Sequence, residues 1–96
     1  SSVLEYEALI EQAKLMIQRR KFSSAIETIH KALEHEPNSA EAYTILGVLY
    51  EVIDDLPKAI SAYHTATKLD STNVSARDNL SRLRNLDLDS GIKLGY

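Results

Sequence analysis

Residues 40–73 read AEAYTILGVLYEVIDDLPKAISAYHTATKLDSTN, and the 34 residues before them, 6–39, repeat the pattern. Seven positions are identical when the two stretches are aligned without a gap: Glu7/Glu41, Ala8/Ala42, Leu15/Leu49, Ala25/Ala59, Ile26/Ile60, His30/His64 and Ala32/Ala66. A further small residue, Ala13, falls on Gly47 and, one period later, on Ser81. A 34-residue period with small side chains at fixed places is typical of stacked helical hairpins, because small side chains let helices approach closely.

Turn and capping signals separate the helical segments of the two repeats. We predict a first helix opened by a capping box at Ser2, and a second helix that ends before Pro37, because proline disfavours helix in the residue before it. Asn38 has the spacing of a cap for the third helix. Asp55 is placed to cap the fourth helix, whose first turn includes Pro57.

A fifth helical segment, residues 74–85, corresponds to the first helix of a third, incomplete repeat. We therefore predict an all-α domain over residues 1–85, formed by repeats 6–39 and 40–73 and closed by this capping helix. Residues 86–96 contain two glycines and no apolar stripe at helical spacing, so they are predicted to be a tail or the start of a linker.

This pattern resembles the tetratricopeptide repeat (TPR) family. In the second repeat the resemblance rests on Tyr43, Leu46, Gly47, Tyr50, Ala59, Tyr63 and Ala66. In the first repeat it rests on Leu9, Ala13, Met16, Ala25, Ile29, Ala32 and Pro37, with Gln12 where the family prefers a large apolar residue. The resemblance implies a right-handed superhelix of five helices, in which the first helix of each hairpin lines a concave groove.

The resemblance also predicts which side chains face that groove. They are the residues that helical spacing leaves outside the packed positions, and we predict partner binding by Ile10, Lys14, Ile17, Glu41, Ile45, Val48, Val52, Asn79 and Arg82. The isoleucines and valines of this set form an apolar strip with charged edges, which commonly marks an interaction site.

The same positions indicate the chemistry of the partner. TPR domains that act as co-chaperones hold the terminal carboxylates of a peptide with asparagines and lysines, whereas this chain has mostly isoleucine and valine at the corresponding places. Only Lys14, Asn79 and Arg82 are suited to such a role. We therefore expect an apolar extended segment or an amphipathic helix as the ligand.

These observations predict a non-catalytic protein-interaction module that serves as a scaffold or adaptor and binds a protein or peptide partner. Self-association into a homo-oligomer is the alternative, and a regulatory domain of an enzyme is compatible with the same surfaces. We predict no cofactor, catalytic residue or metal ligand, because the sequence contains no phosphate-binding glycine loop, zinc motif or nucleophile–base pair. His30 and His64 are predicted to point outward on the convex side.

Composition argues against two other classes of partner. The formal charge is -3, and the only basic run, Arg19–Lys21, lies where a helix is expected to end, so nucleic acid is not an expected partner. No apolar run reaches the roughly 20 residues that span a bilayer, so a membrane is not expected either. The chain has no cysteine, which fits a reducing compartment, and we predict a cytoplasmic location.

Overall fold

The structure, a computed structural model, describes the backbone of residues 1–94 and the side chains of residues 1–86. Its helices are α1 (Ser2–Gln18), α2 (Phe22–His35), α3 (Ala40–Val52), α4 (Leu56–Leu69) and α5 (Val74–Leu94). No strand occurs within these 94 residues, and the predicted all-α class is confirmed. The pairs α1–α2 and α3–α4 form hairpins, and the second helix of each hairpin packs against the helix that follows it.

Two of the predicted caps are wrong by one residue. Ser1, rather than Ser2, caps α1, and Ser39, rather than Asn38, caps α3; each hydroxyl accepts a hydrogen bond from the backbone N–H three residues further on. Adjacent Ser/Ser and Asn/Ser pairs each supply two candidate caps, and the residue types alone do not distinguish between them. Asp55 caps α4 as predicted, accepting from the N–H of Lys58 at 3.3 Å.

The fifth helix is longer than predicted. It runs from Val74 to Leu94, so the backbone of residues 86–94, predicted to be a tail or the start of a linker, is helical. A single glycine inside a helix costs only about 1 kcal/mol, and adding residues to a formed helix is easier than starting one. Gly91 without an accompanying proline therefore does not end the helix.

Each hairpin turns through the same backbone motif, at positions 34 residues apart. Arg20 and Asp54 have φ values of 60° and 66°, in the left-handed region that glycine adopts most easily. In both turns the N–H of the next residue donates to the carbonyl five residues back at 2.8 Å, which closes the helix end. The left-handed conformation costs a residue with a side chain about 1–2 kcal/mol.

Replacing Arg20 by glycine should therefore stabilise the protein. Relief of the backbone strain outweighs the added freedom of the unfolded chain, and we expect a gain of about 0.5–1 kcal/mol, or several degrees in melting temperature measured by circular dichroism. The control is Arg19→Gly, because Arg19 has φ -89° and gains no relief. Equal melting temperatures for the two variants would contradict this account of the turn.

The crossing of α3 and α4 depends on the contact between Gly47 and Tyr63. The Tyr63 ring is fully buried, and a Cβ atom on Gly47 would lie 2.5 Å from its Cε1 atom. The first hairpin has Ala13 and Ile29 at the same two places, and both are fully buried. At this crossing the second hairpin pairs glycine with tyrosine, and the first hairpin pairs alanine with isoleucine. The smaller residue on the first helix therefore faces the larger side chain on the second.

Gly47→Ala should destabilise the protein even though alanine favours helix by about 1 kcal/mol, because overpacking against a buried ring costs about 1–3 kcal/mol. The difference between the two is a net loss of up to about 2 kcal/mol, which urea unfolding measures. The same substitution made in a Tyr63→Ile background should cost much less, since it reproduces the pair found in the first hairpin. If the cost is the same in both backgrounds, the two positions are not coupled.

The caps of α3 and α5 also join successive hairpins. Ser39 is hydrogen-bonded to the Tyr6 hydroxyl at 2.6 Å. One period later, Asn73 caps α5 through Oδ1 and donates from Nδ2 to the Thr44 hydroxyl at 3.1 Å. One residue at each junction therefore starts a helix and ties it to the first helix of the preceding hairpin, which places α1, α3 and α5 side by side.

Candidate functional site

The sides of α1, α3 and α5 that lie next to one another form one surface, which we call the groove face. Side-chain contacts join its helices: the Tyr6 hydroxyl donates to Glu41 at 3.1 Å, and Arg82 donates to Glu51 at 2.7 Å. Helical spacing around these contacts assigns to the groove face Glu7, Ile10, Glu11, Lys14, Ile17, Glu41, Ile45, Val48, Glu51, Val52, Asp78, Asn79, Arg82 and Leu86.

Ile10 was expected to be uncovered, and that expectation is wrong. Its side chain is only 3% exposed and belongs to the hydrophobic core of the first hairpin and α3, which includes Ala13 and Ala42. Ile17 and Ile45 are half-buried against the same core. The spacing of residues within one helix could not predict this burial, because it comes from the other helices that pack against that helix.

The exposed apolar part of the groove face is therefore smaller than predicted and consists of Val48, Val52 and Leu86. Val48 and Val52 are one helical turn apart on α3, and Val52 is 51% exposed. Leu86 on α5 stands 34 residues after Val52 and is 50% exposed. The repeat period identifies Leu86 as the counterpart of Val52, although the lack of an apolar stripe in residues 86–96 predicts a tail or linker there.

The centre of the groove face is held by a hydrogen-bond network on Glu51. The carboxylate accepts from the Tyr63 hydroxyl at 2.8 Å and from the Arg82 guanidinium at 2.7 Å. Arg82 also donates to Asn79 at 3.3 Å. The network joins α3, α4 and α5, so the predicted ligand contacts Asn79 and Arg82 are already engaged within the chain.

This network changes the acidity of its members. The hydrogen bond from Arg82, and then the one from Tyr63, hold the pKa of Glu51 below its usual range. The same ion pair raises the pKa of Arg82. Burial, with the neighbouring Glu51 carboxylate, raises the pKa of the Tyr63 phenol, which stays neutral. The charged form of Glu51 is therefore the one that the fold favours.

Because the folded-state pKa of Glu51 is lowered, its contribution to stability is fully present above the unfolded pKa and is lost as pH falls through the folded value. Glu51→Gln should cost about 1–2 kcal/mol near pH 7, and the difference from the wild type should shrink between about pH 5 and pH 3. Urea unfolding at several pH values measures this.

The matched control for that experiment is Glu34→Gln, which removes a carboxylate that is exposed on α2. It should leave the stability near pH 7 within about 0.5 kcal/mol of the wild type. A Glu51→Gln deficit that stays constant across the pH range would show that the carboxylate charge is not what stabilises the network.

The other end of the groove face is a depression between α1 and α3 that is rich in carboxylates. A hollow of about 180 Å³ is lined by Tyr6, Glu7, Ile10, Glu11, Lys14 and Glu41. Lys14 lies 3.5 Å from Glu11 and 4.0 Å from Glu41, so its charge is balanced locally. Burial and the Glu41 carboxylate raise the pKa of Tyr6. The hollow therefore presents a net negative charge to a ligand.

Histidines contribute contacts between helices. The His30 ring lies 3.4 Å from the Tyr50 hydroxyl, which joins α2 to α3, and His35 Nδ1 lies 3.2 Å from the Glu5 carboxylate. His64 is half-buried. The described side chains, those of residues 1–86, contain no group of three His, Cys, Asp or Glu placed to hold a metal ion. None of the described helices combines the length and apolar composition needed to cross a bilayer.

Comparisons with known proteins identify the fold. No family model matches the chain. It is 34% identical over 61 residues to Superkiller protein 3 of Schizosaccharomyces pombe (strain 972 / ATCC 24843), a match that covers 64% of this chain and only 4% of that protein. Among solved structures it is similar to the first TPR of Spaghetti (RPAP3) bound to HSP90 peptide SRMEEVD.

That similarity has a TM-score of 0.76 at 20% identity and covers 90% of this chain and 65% of the other. The chain has the helical-hairpin fold of tetratricopeptide repeats, which confirms the fold that the resemblance of its residues to that family implies.

Proposed function

We propose that the chain is a protein-interaction module that binds a segment of a partner protein along the groove face, as a scaffold or adaptor without catalysis of its own. The observation that carries the proposal is the exposure of Val48, Val52 and Leu86 on a surface whose polar groups hold one another in place. Exposed apolar side chains on an already ordered surface favour binding, because association then costs little further conformational entropy.

The charge of the groove face favours one kind of segment. Its carboxylates are Glu7, Glu11, Glu41, Glu51 and Asp78, and its cations are Lys14 and Arg82. Both cations already pair with carboxylates of the groove face. An apolar segment that carries lysine or arginine complements this surface, whereas an acidic segment is repelled by it.

The first TPR of Spaghetti supports peptide binding by this fold, because its solved structure contains the peptide SRMEEVD. That peptide is rich in carboxylates. We infer a different ligand chemistry for this chain, because releasing Lys14 or Arg82 to meet a carboxylate would break existing ion pairs with Glu11, Glu41 or Glu51.

A peptide series tests the proposal. A 14-residue amphipathic helical peptide with leucines on one face and lysines on the other should bind, with backbone amide shifts concentrated on α3 and α5 in NMR titrations. The same peptide with glutamate in place of lysine should bind at least about tenfold more weakly, and SRMEEVD should not bind measurably. Added salt should weaken binding of the lysine peptide, because screening reduces its attraction to the carboxylates of the groove face.

Val48→Glu should abolish this binding. The control is Leu56→Glu, because Leu56 and Val48 are both 38% exposed but Leu56 lies on α4, away from the groove face. Loss of binding in both variants, or tighter binding of SRMEEVD than of the lysine peptide, would overturn the proposal.

Self-association through the groove face is the second candidate, and the exposure of Val52 and Leu86 favours it as well. Light scattering separates the two. A monomer at all concentrations that binds the lysine peptide supports partner binding, whereas a dimer that Val52→Glu dissociates supports self-association. Val52 is a better probe than Ile45, which is half-buried against the core and whose replacement would disturb folding.

A further inference from the structure

The turn between α1 and α2 carries a cluster of positive charge that lies outside the groove face. Arg19, Arg20 and Lys21 follow one another there, and all three side chains are exposed. Among the described side chains, none of the three forms an ion pair with a carboxylate. The second hairpin has Asp54 and Asp55 at the places of Arg20 and Lys21. The two turns therefore share their backbone motif but have opposite charge.

An exposed serine follows this basic run. Ser23 is exposed, with Lys21 two positions and Arg20 three positions before it. A serine kinase that selects basic substrates holds such cations with carboxylates of its peptide groove, and this charge pattern determines which serine reaches the reacting phosphate. Ser23 therefore has the flanking charges that such a kinase recognises.

The backbone at Ser23 is also placed where a helix opens most easily. Ser23 is the second residue of α2, and the Lys21 carbonyl accepts from the Ala25 N–H at 3.0 Å. The N–H groups of residues 22–24 precede that hydrogen bond, and helix ends of this kind open before the rest of the helix. Arg20, with φ 60°, adds backbone strain that opening relieves. A kinase can therefore reach the serine without unfolding the hairpin.

The start of α2 is electrostatically suited to the modified residue. Its N-cap, Lys21, makes no side-chain cap hydrogen bond, and its first turn contains no acidic residue. In the second hairpin Asp55 occupies the same place and caps α4. The positive end of the helix dipole favours an anion, whereas α2 has a cation there. A phosphate on Ser23 would supply the missing negative charge and accept from first-turn N–H groups.

We propose that Ser23 is a phosphorylation site for a serine kinase that selects basic substrates, and that the phosphate strengthens the start of α2. In the transfer from ATP, a bond forms between Ser23 Oγ and the γ-phosphorus, and the bond from that phosphorus to the β,γ-bridging oxygen breaks. ADP leaves with that electron pair, and a base of the kinase takes the hydroxyl proton. The charge of the turn falls from three positive charges to about one.

The helix α5 contains a matched control. Ser75 is the second residue of α5 and is exposed, as Ser23 is in α2. The residues two and three positions before it are Asn73 and Thr72, which are uncharged. The two serines therefore share their helix position and their exposure but differ in the charges that precede them.

The catalytic subunit of cyclic-AMP-dependent protein kinase, which selects basic residues at those two positions, tests the proposal on the folded protein. After incubation with ATP, mass spectrometry should show phosphate on Ser23, added at least about tenfold faster than on Ser75. The double variant Arg20→Gln with Lys21→Gln should slow this reaction about tenfold or more, and Ser23→Ala should remove it. A synthetic peptide of residues 17–28 gives the rate for the same segment without tertiary structure.

The second measurement is stability. The phosphorylated protein should melt roughly 2–5 °C above the unmodified protein, and added salt should reduce this gain by screening the new charge. Modification of the peptide but not of the folded protein, equal rates at Ser23 and Ser75, or a melting temperature that phosphorylation leaves unchanged or lowers would each overturn the proposal.

Discussion

The close approach of the Tyr63 ring to Gly47 is the constraint on which the second hairpin and the groove face both depend. Without a Cβ at Gly47, the ring lies directly against the backbone of α3. Its hydroxyl then reaches Glu51 on the same helix, and Glu51 in turn holds Arg82 on α5. One steric fit therefore positions three helices, and the cost of a glycine within a helix is offset by burial of a whole aromatic side chain.

The buried polar groups around this contact have hydrogen-bond partners. Among the described side chains, none has a buried nitrogen or oxygen without a hydrogen-bond partner. Because Lys14 and Arg82 are paired within the chain, the groove face presents mainly valine, leucine and carboxylate to its surroundings. The binding that we propose for this surface would select its ligand by apolar contact and by repulsion of like charge, which is a source of specificity as well as of affinity.

The repeats also show that a residue's environment is set by its neighbours as much as by its type. Leu15 and Leu49 are the same residue at the same register, yet Leu15 is exposed and Leu49 is fully buried. The difference lies in α2, which covers Leu49. Ile10 shows the opposite case, since the core formed with α2 and α3 buries a side chain that α1 alone would leave open.

The sequence by itself determined the helical-hairpin repeat, the positions of the crossings and the turn between the helices, because these follow from local periodicity, side-chain size and capping. Only the tertiary structure decided that Ile10 is buried and that Arg82 is committed to Glu51. Burial and ion pairing depend on distances between helices far apart in the chain. A one-dimensional pattern contains the candidates for such contacts but not the geometry that chooses among them.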